Sequence, residues 1–269
     1  FLFFRLILPI IRIGFDLNQL KFMFRYALGL MPAIIGGAIL SQLDRVMIAN
    51  YISLSDAGIY SISYSIASIL TLISGAIYNS WIPDYYRLIE EKKYKEHDKQ
   101  IFGFISYITC ICIVIMFFGD IGAKVLFFEA FTTKTVLIPI ITFGIFWSAL
   151  VPSYQRHISF SNKTYWTSAI FIICALLNYF LNMILLPIYG LEAAAFTTLI
   201  SYLCQFILSY LIVKFIIKMH TTSIVKIFSK TFPASLCFAI IYLFLDTIST
   251  ISIILRVLLL FIVFYYFLK

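Results

Sequence analysis

The chain has 269 residues, is 62% hydrophobic and 12% charged, and carries a formal net charge of +8 with a mean hydropathy of +1.02. Soluble domains are typically about 45–50% apolar and about 25% charged, so this composition excludes a soluble globular fold and points to an integral membrane protein. Long apolar runs such as "TVLIPIITFGIFWSALVP" show no period-2 alternation, which excludes a membrane β-barrel, and the positive charge fits a positive-inside bias better than a nucleic-acid partner.

In chain order, residues 1–15, "FLFFRLILPIIRIGF", lack a charged leader region or a small-residue cleavage site. They are expected to end an earlier transmembrane helix, so that the N-terminal part of the protein is missing. Residues 16–23 are read as a linker. Apolar windows of about 18–25 residues then predict an all-α transmembrane bundle. The spans are expected at about 24–50, 57–83, 100–119, 135–155, 165–187, 191–213, 231–246 and 250–268.

The connections alternate in charge. Lys21 and Arg25, the run Arg87 to Lys99, Arg156 and Lys163, then Lys214, Lys218, Lys226, Lys230 and Lys269 fall on one side. The other side has only Lys124 and Lys134, beside the short turns "SLSD", "YG" and "DTIST". That asymmetry predicts that the first side and both ends of this piece are cytoplasmic. No inserted soluble domain appears, and the longest loop, 84–99, has a helix-like mixture of charges. Such a chain suits transport better than catalysis.

Several spans carry polar faces. In 24–50, Ala33, Gly37 and Ser41 repeat at i, i+4 and i+8, a small-residue stripe that lets helices approach closely. At 100° per residue, Asp44 lies about 20° from Gly37 and Arg45 about 40° beyond Ser41. Both charges therefore lie near the packed face, as a cavity pair or a structural ion pair. In 57–83, Ser61, Ser65, Ser68, Gly75 and Asn79 fall near one face, with Tyr60 and Tyr64 beside it. Asn178 and Asn182 stack in 165–187; Thr198, Ser201, Gln205 and Ser209 stack in 191–213. Each face alone reads as interhelical hydrogen bonding, and several together as a wet cavity. Arg256 stands inside the last span, and Arg156 at the inner end of 135–155, where an arginine can snorkel.

The cysteines Cys110, Cys112, Cys174, Cys204 and Cys237 all sit in apolar stretches without metal spacing. His97, His157 and His220 stand alone at segment ends and read as loop residues rather than ligands. No catalytic residue, metal or cofactor is expected. Glu192 opens a helix, where the dipole favours an acid.

The segment "SQLDRVMIANYISLSDAGIYSISYSIASIL" resembles the polysaccharide-export flippases of the Wzx type, in the multidrug/oligosaccharidyl-lipid/polysaccharide superfamily. The matching residues are Asp44, Arg45, Met47, Ile48, Gly58, Ile59, Tyr60, Ser61 and Tyr64. "WIPDYY", Trp81 to Tyr86, is similar to the family's next motif. "YGLEAAAFTTLISY" is similar to a third, with Ala193 where the family often has Gly.

The resemblance covers roughly residues 20–218. It implies that residues 24–269 form the C-terminal lobe of a two-lobed, MATE-like transporter. It further implies a carrier of undecaprenyl-pyrophosphate-linked oligosaccharide units across the bacterial plasma membrane, for O-antigen, capsule or a similar glycan. Partners implied are that lipid-linked substrate, membrane lipids, a glycan polymerase and a chain-length regulator, and no nucleic acid.

The residues expected at the transport cavity are Asp44, Arg45, Tyr60, Ser61, Tyr64, Asn79, Asn178, Gln205 and Arg256. Arg45 would meet the pyrophosphate, with Asp44 orienting it, and the Tyr and Ser face would meet sugars. A cation-coupled drug antiporter of the same superfamily is the alternative, with Asp44 as its acid. A membrane glycan polymerase is a further reading, with 120–134 as its outer loop.

Overall fold

A computed structural model describes residues 16–127 and 136–244. The expectations for residues 1–15, for the rest of the loop after Phe127, and for the span 250–268 with Arg256 fall outside the described residues. Within them the chain is all-helical and has seven helices long and apolar enough to cross a membrane.

Helix α1 runs Leu17–Tyr51, starting at Asp16, whose carboxylate accepts from the Asn18 and Gln19 amides. That is ordinary N-capping of otherwise orphaned donors. Residues 17–23, read above as a linker, are thus the opening turns of α1. Pro32 sits inside this helix and would leave a gap in its hydrogen-bond ladder. Ser168 fills the adjacent rung: its hydroxyl donates to Gly29 O and accepts from the Ala33 amide at 3.1 Å. A side chain inserted into the ladder is one of the recognised ways a helix accommodates a kink.

The stripe that α1 buries is Ala33, Gly36, Leu40, Asp44 and Met47. It follows the i, i+3/i+4 spacing of one helix face. Gly36 lies against Phe171, where an added Cβ would stand 3.2 Å from Phe171 Cβ and 3.3 Å from its carbonyl carbon. The residues facing away, among them Met31, Ile34 and Ile35, are exposed and apolar, as a lipid-facing surface must be.

The second span divides into α2 (Leu54–Ala67) and α3 (Ile69–Ser80). Ser53 caps α2 reciprocally with Asp56: the Asp56 amide donates to Ser53 Oγ at 3.0 Å, and Ser53 Oγ donates to the carboxylate at 2.6 Å. The break at Ser68 has a local cause. Ser61, Ser65 and Ser68 each turn their hydroxyl back onto a carbonyl three or four residues earlier, at 2.7–2.8 Å. Such back-bonding competes with the ladder and bends helices.

The loop 84–99 is mostly helical. Short α4 (Ile82–Glu90) buries Tyr85, Leu88 and Ile89, and a turn through Lys92, at φ 57°, leads into α5 (Tyr94–Leu126). Next comes α6 (Leu137–Leu150), which is buried almost all round and is the centre of the bundle; Pro152 starts a new short helix, α7 (Pro152–Phe160). Helices α8 (Tyr165–Tyr189) and α9 (Leu191–Leu211) form a hairpin about Gly190. Its φ of 68° and ψ of −149° belong to a region essentially reserved for glycine. A π-helical stretch, Ile212–Ile217, extends α9, and α10 spans Ile224–Phe244.

Packing pairs α1 with α8, α9 with both α6 and α8, and α10 with α5. Seven of the eight expected spans thus appear in the expected order among the described residues, with their ends moved or the helix divided.

Candidate functional site

Three polar assemblies interrupt the apolar bundle. The first centres on Asp44. Its Oδ1 accepts from Asn182 Nδ2 at 2.6 Å, and its Oδ2 from the Tyr60 hydroxyl at 2.8 Å and from Thr198 Oγ1. Asn182 also donates to Asn178 Oδ1 at 3.2 Å, and its own Oδ1 accepts from Thr197 at 2.6 Å. Asp44, Tyr60, Asn178, Asn182, Thr197 and Thr198 are all fully buried. Four helices, α1, α2, α8 and α9, meet through this one carboxylate.

Every partner of Asp44 is neutral, and among the described residues no cation pairs with it. A buried charge without a counter-ion is costly, yet the network serves either protonation state. An ionised carboxylate takes all three donors. A protonated one donates to Thr198, whose hydroxyl also lies 2.9 Å from Ala194 O and can turn its proton there.

The second assembly is a groove. One hollow, about 410 Å³, has Ser41, Gln42, Arg45, Tyr64, Ser68 and Tyr202 among its walls. A second, about 230 Å³, is bounded by Ser74, Tyr78, Gln155 and Gln205. Thr71 and Ser148 belong to both, so the hollows adjoin. Arg45 donates to Gln42 Oε1 and lies 4.8 Å from the Tyr64 ring centre; Arg156 lies 4.5 Å from that of Tyr78. Tyr64 and Tyr202 share a hydrogen bond at 2.8 Å. Gln205 Oε1, Gln155 Nε2 and Arg45 Nε are buried without a protein partner. The groove therefore has the Arg45 guanidinium in its wall, hydroxyls along it, and unspent hydrogen-bonding capacity, while Arg156 packs against the wall residue Tyr78.

The third assembly joins α4, the start of α5, α7 and the segment before α10. There the Tyr85 hydroxyl meets His157 Nδ1, while Asp98 accepts from Thr222 at 2.7 Å and contacts His220 at 3.0 Å. Tyr85 lies on α4, outside the spans, and burial raises its phenol well above the ordinary tyrosine range, with nearby Tyr78 and Tyr86 adding to the shift.

The sequence-derived residues thus separate into groups. Asp44, Tyr60 and Asn178 share the carboxylate network; Arg45, Tyr64 and Gln205 line the groove. Ser61 lines a shallow hollow beside Arg45, Asn50 and Gly58, its hydroxyl spent on Ala57 O. Asn79 is exposed and joins neither group. Asn182, Thr197 and Thr198 complete the acid's shell, and Ser41, Gln42, Thr71, Ser148, Gln155 and Tyr202 complete the groove. The i, i+4 asparagines and the polar stripe of α9 signalled some of these, but their common target needed the packed bundle.

An all-helical bundle with seven candidate spans and this polar interior is a polytopic membrane protein. Residues 2–136, half of the chain, match the family of polysaccharide biosynthesis proteins, and the chain belongs to that family. The matched region contains Asp44, Arg45, Tyr60 and Tyr64. Among curated proteins and among solved structures, none matches the chain.

Proposed function

We propose that this chain forms the C-terminal lobe of a flippase that carries polyprenyl-pyrophosphate-linked oligosaccharide units across a bacterial plasma membrane. The observation that carries this reading is the polar groove that runs from Arg45 to Gln155 and Gln205. The physical problem is to move a pyrophosphate and many sugar hydroxyls through hydrocarbon. Even one side-chain charge at a helix centre costs about 2.5–3.5 kcal/mol on insertion scales. A guanidinium remains charged and presents a planar fork of donors suited to phosphate oxygens. Serine, threonine, glutamine and tyrosine groups replace water around sugars, while the polyprenyl tail stays in lipid.

In this reading an N-terminal lobe would close the groove from the other side, and rocking of the lobes would alternate access. The basic end faces the cytoplasm under the positive-inside rule. The surface glycan, whether O-antigen or capsule, would follow from sugar contacts that both lobes share.

The test is complementation of a flippase-deficient strain with the full-length gene. Arg45→Ala should lower surface glycan strongly while membrane abundance stays normal, and Arg45→Lys should rescue in part. Undiminished glycan in an Arg45→Ala strain refutes the role of the groove.

A second reading, a cation-coupled antiporter of the same superfamily, draws on one observation: Arg45 does not neutralise Asp44. A buried acid with only neutral partners suits exchange of a proton or a small cation during the cycle. Transport of a dye or drug down an imposed ion gradient, abolished by Asp44→Asn, would favour it. The two readings also combine, with Asp44 supplying the coupling and the groove the substrate.

A further inference from the structure

His97 and His220 read from the sequence as isolated loop residues, but the fold gathers them around Asp98. His97 and Asp98 lie on the first turn of α5, and His220 lies in the segment between the π-helical stretch and α10. Asp98 Oδ1 stands 3.0 Å from His220 Nε2 and 3.4 Å from His97 Nδ1. One ligand atom from each residue lies within 4.8 Å of the other two.

These separations have a meaning in coordination chemistry. With metal–ligand bonds of about 2.0–2.2 Å, the ligand atoms of a tetrahedral zinc site stand about 3.4 Å apart. Two of the three edges are already near that length. The third closes by rotation of the His220 ring, which is partly exposed and sits in a non-helical segment.

The surroundings support the same reading. His97 is 1% exposed and its Nε2 has no hydrogen-bond partner, so neither ring nitrogen is committed to anything but Asp98 among the described residues. Thr222 Oγ1 donates to the same Asp98 Oδ1 at 2.7 Å and holds the carboxylate in place. Tyr94 stacks on the His220 ring at 4.4 Å between centres, and the Tyr154 hydroxyl donates to Thr222 O at 3.3 Å. Such outer contacts fix ligand orientation in metal sites.

We infer that His97, Asp98 and His220 form a site for a divalent transition cation of the zinc class, which clips the segment 218–223 onto the start of α5. The ion replaces the imidazole protons that now face Asp98 Oδ1. Two imidazoles and one carboxylate suit zinc better than magnesium or calcium, which take oxygen ligands. Water fills the remaining position. The clip fixes where α10 enters the bundle, because α10 packs on α5.

The test uses the full-length protein in detergent, purified through a histidine-free tag, stripped with chelator and titrated with zinc chloride against a competing indicator. Wild type should bind one zinc per chain at this site. His220→Ala and Asp98→Asn should each weaken that binding more than about 10-fold, and Thr222→Val, which keeps all three ligands, by a smaller factor. Circular dichroism shows whether the variants fold. Cobalt substitution in the wild type gives a readout that does not depend on them: tetrahedral nitrogen and oxygen bands are expected. Absence of stoichiometric zinc overturns the inference. So does affinity unchanged in folded His220→Ala, or a sulfur-to-cobalt charge-transfer band that assigns the metal to cysteines.

Discussion

Asp44 and Arg45 are joined by one peptide bond yet serve different assemblies. The carboxylate points into α2, α8 and α9 and takes its hydrogen bonds from Tyr60, Thr198 and Asn182, while the guanidinium lies over Tyr64 in the groove and donates to Gln42. A helix turns 100° per residue, and here that turn sends the two side chains to different sides of α1. The charge pair that the sequence suggested is two separate devices.

Replacements at Asp44 should separate stability from transport. Asp44→Asn resembles the protonated acid, and the Thr198 hydroxyl can turn to accept from its amide, so the loss of stability should stay below about 1 kcal/mol. Asp44→Ala leaves three buried donors without their acceptor, at about 1–3 kcal/mol for each one that finds no other partner. Thermal denaturation in detergent should rank them wild type, Asn, Ala. Glycan export should fall in both if Asp44 must titrate during the cycle.

Ser168→Ala tests the inserted rung at Pro32. It removes the acceptor of the Ala33 amide and the donor to Gly29 O. A loss of about 1–3 kcal/mol is expected, read as a lower unfolding midpoint. Ser168→Cys, which keeps a weak donor and acceptor, should fall between the two.

Close approach of α1 to α8 rests on Gly36. Even an alanine Cβ there presses on Phe171, including its backbone. Gly36→Leu should therefore force the helices apart, cost about 1–3 kcal/mol or more, and lower folded yield. Exchange at Ile35, which is exposed, should leave the yield unchanged.

Tyr85 gives a pH prediction. Its phenol is raised in the folded state, so the folded state keeps the proton after the unfolded chain begins to lose it near pH 10. The stability held by neutral Tyr85 is complete below that pH and is lost as pH rises through the folded value. Tyr85→Phe should flatten the alkaline decline in melting temperature relative to wild type. An identical alkaline slope in both proteins would contradict it.

The sequence by itself determined that this chain is a bundle of membrane helices and, within the described residues, roughly where seven spans lie. Apolar length sets the spans and the short turn at Gly190 separates two of them, whereas the caps at Asp16 and Ser53 and the break at Pro152 emerged only in the fold. The sequence also displayed the small residues, hydroxyls and amides at helical spacing. What it left open was direction. In water a helix marks its buried face by being apolar there, but lipid makes the outward face of α1 as apolar as the inward one, and that contrast disappears. Only the tertiary structure decided that Asp44 meets Asn182 and Thr198, or that Asp98 meets a histidine 122 residues further on. Those meetings depend on which helices pack side by side, and no local pattern along the chain encodes that.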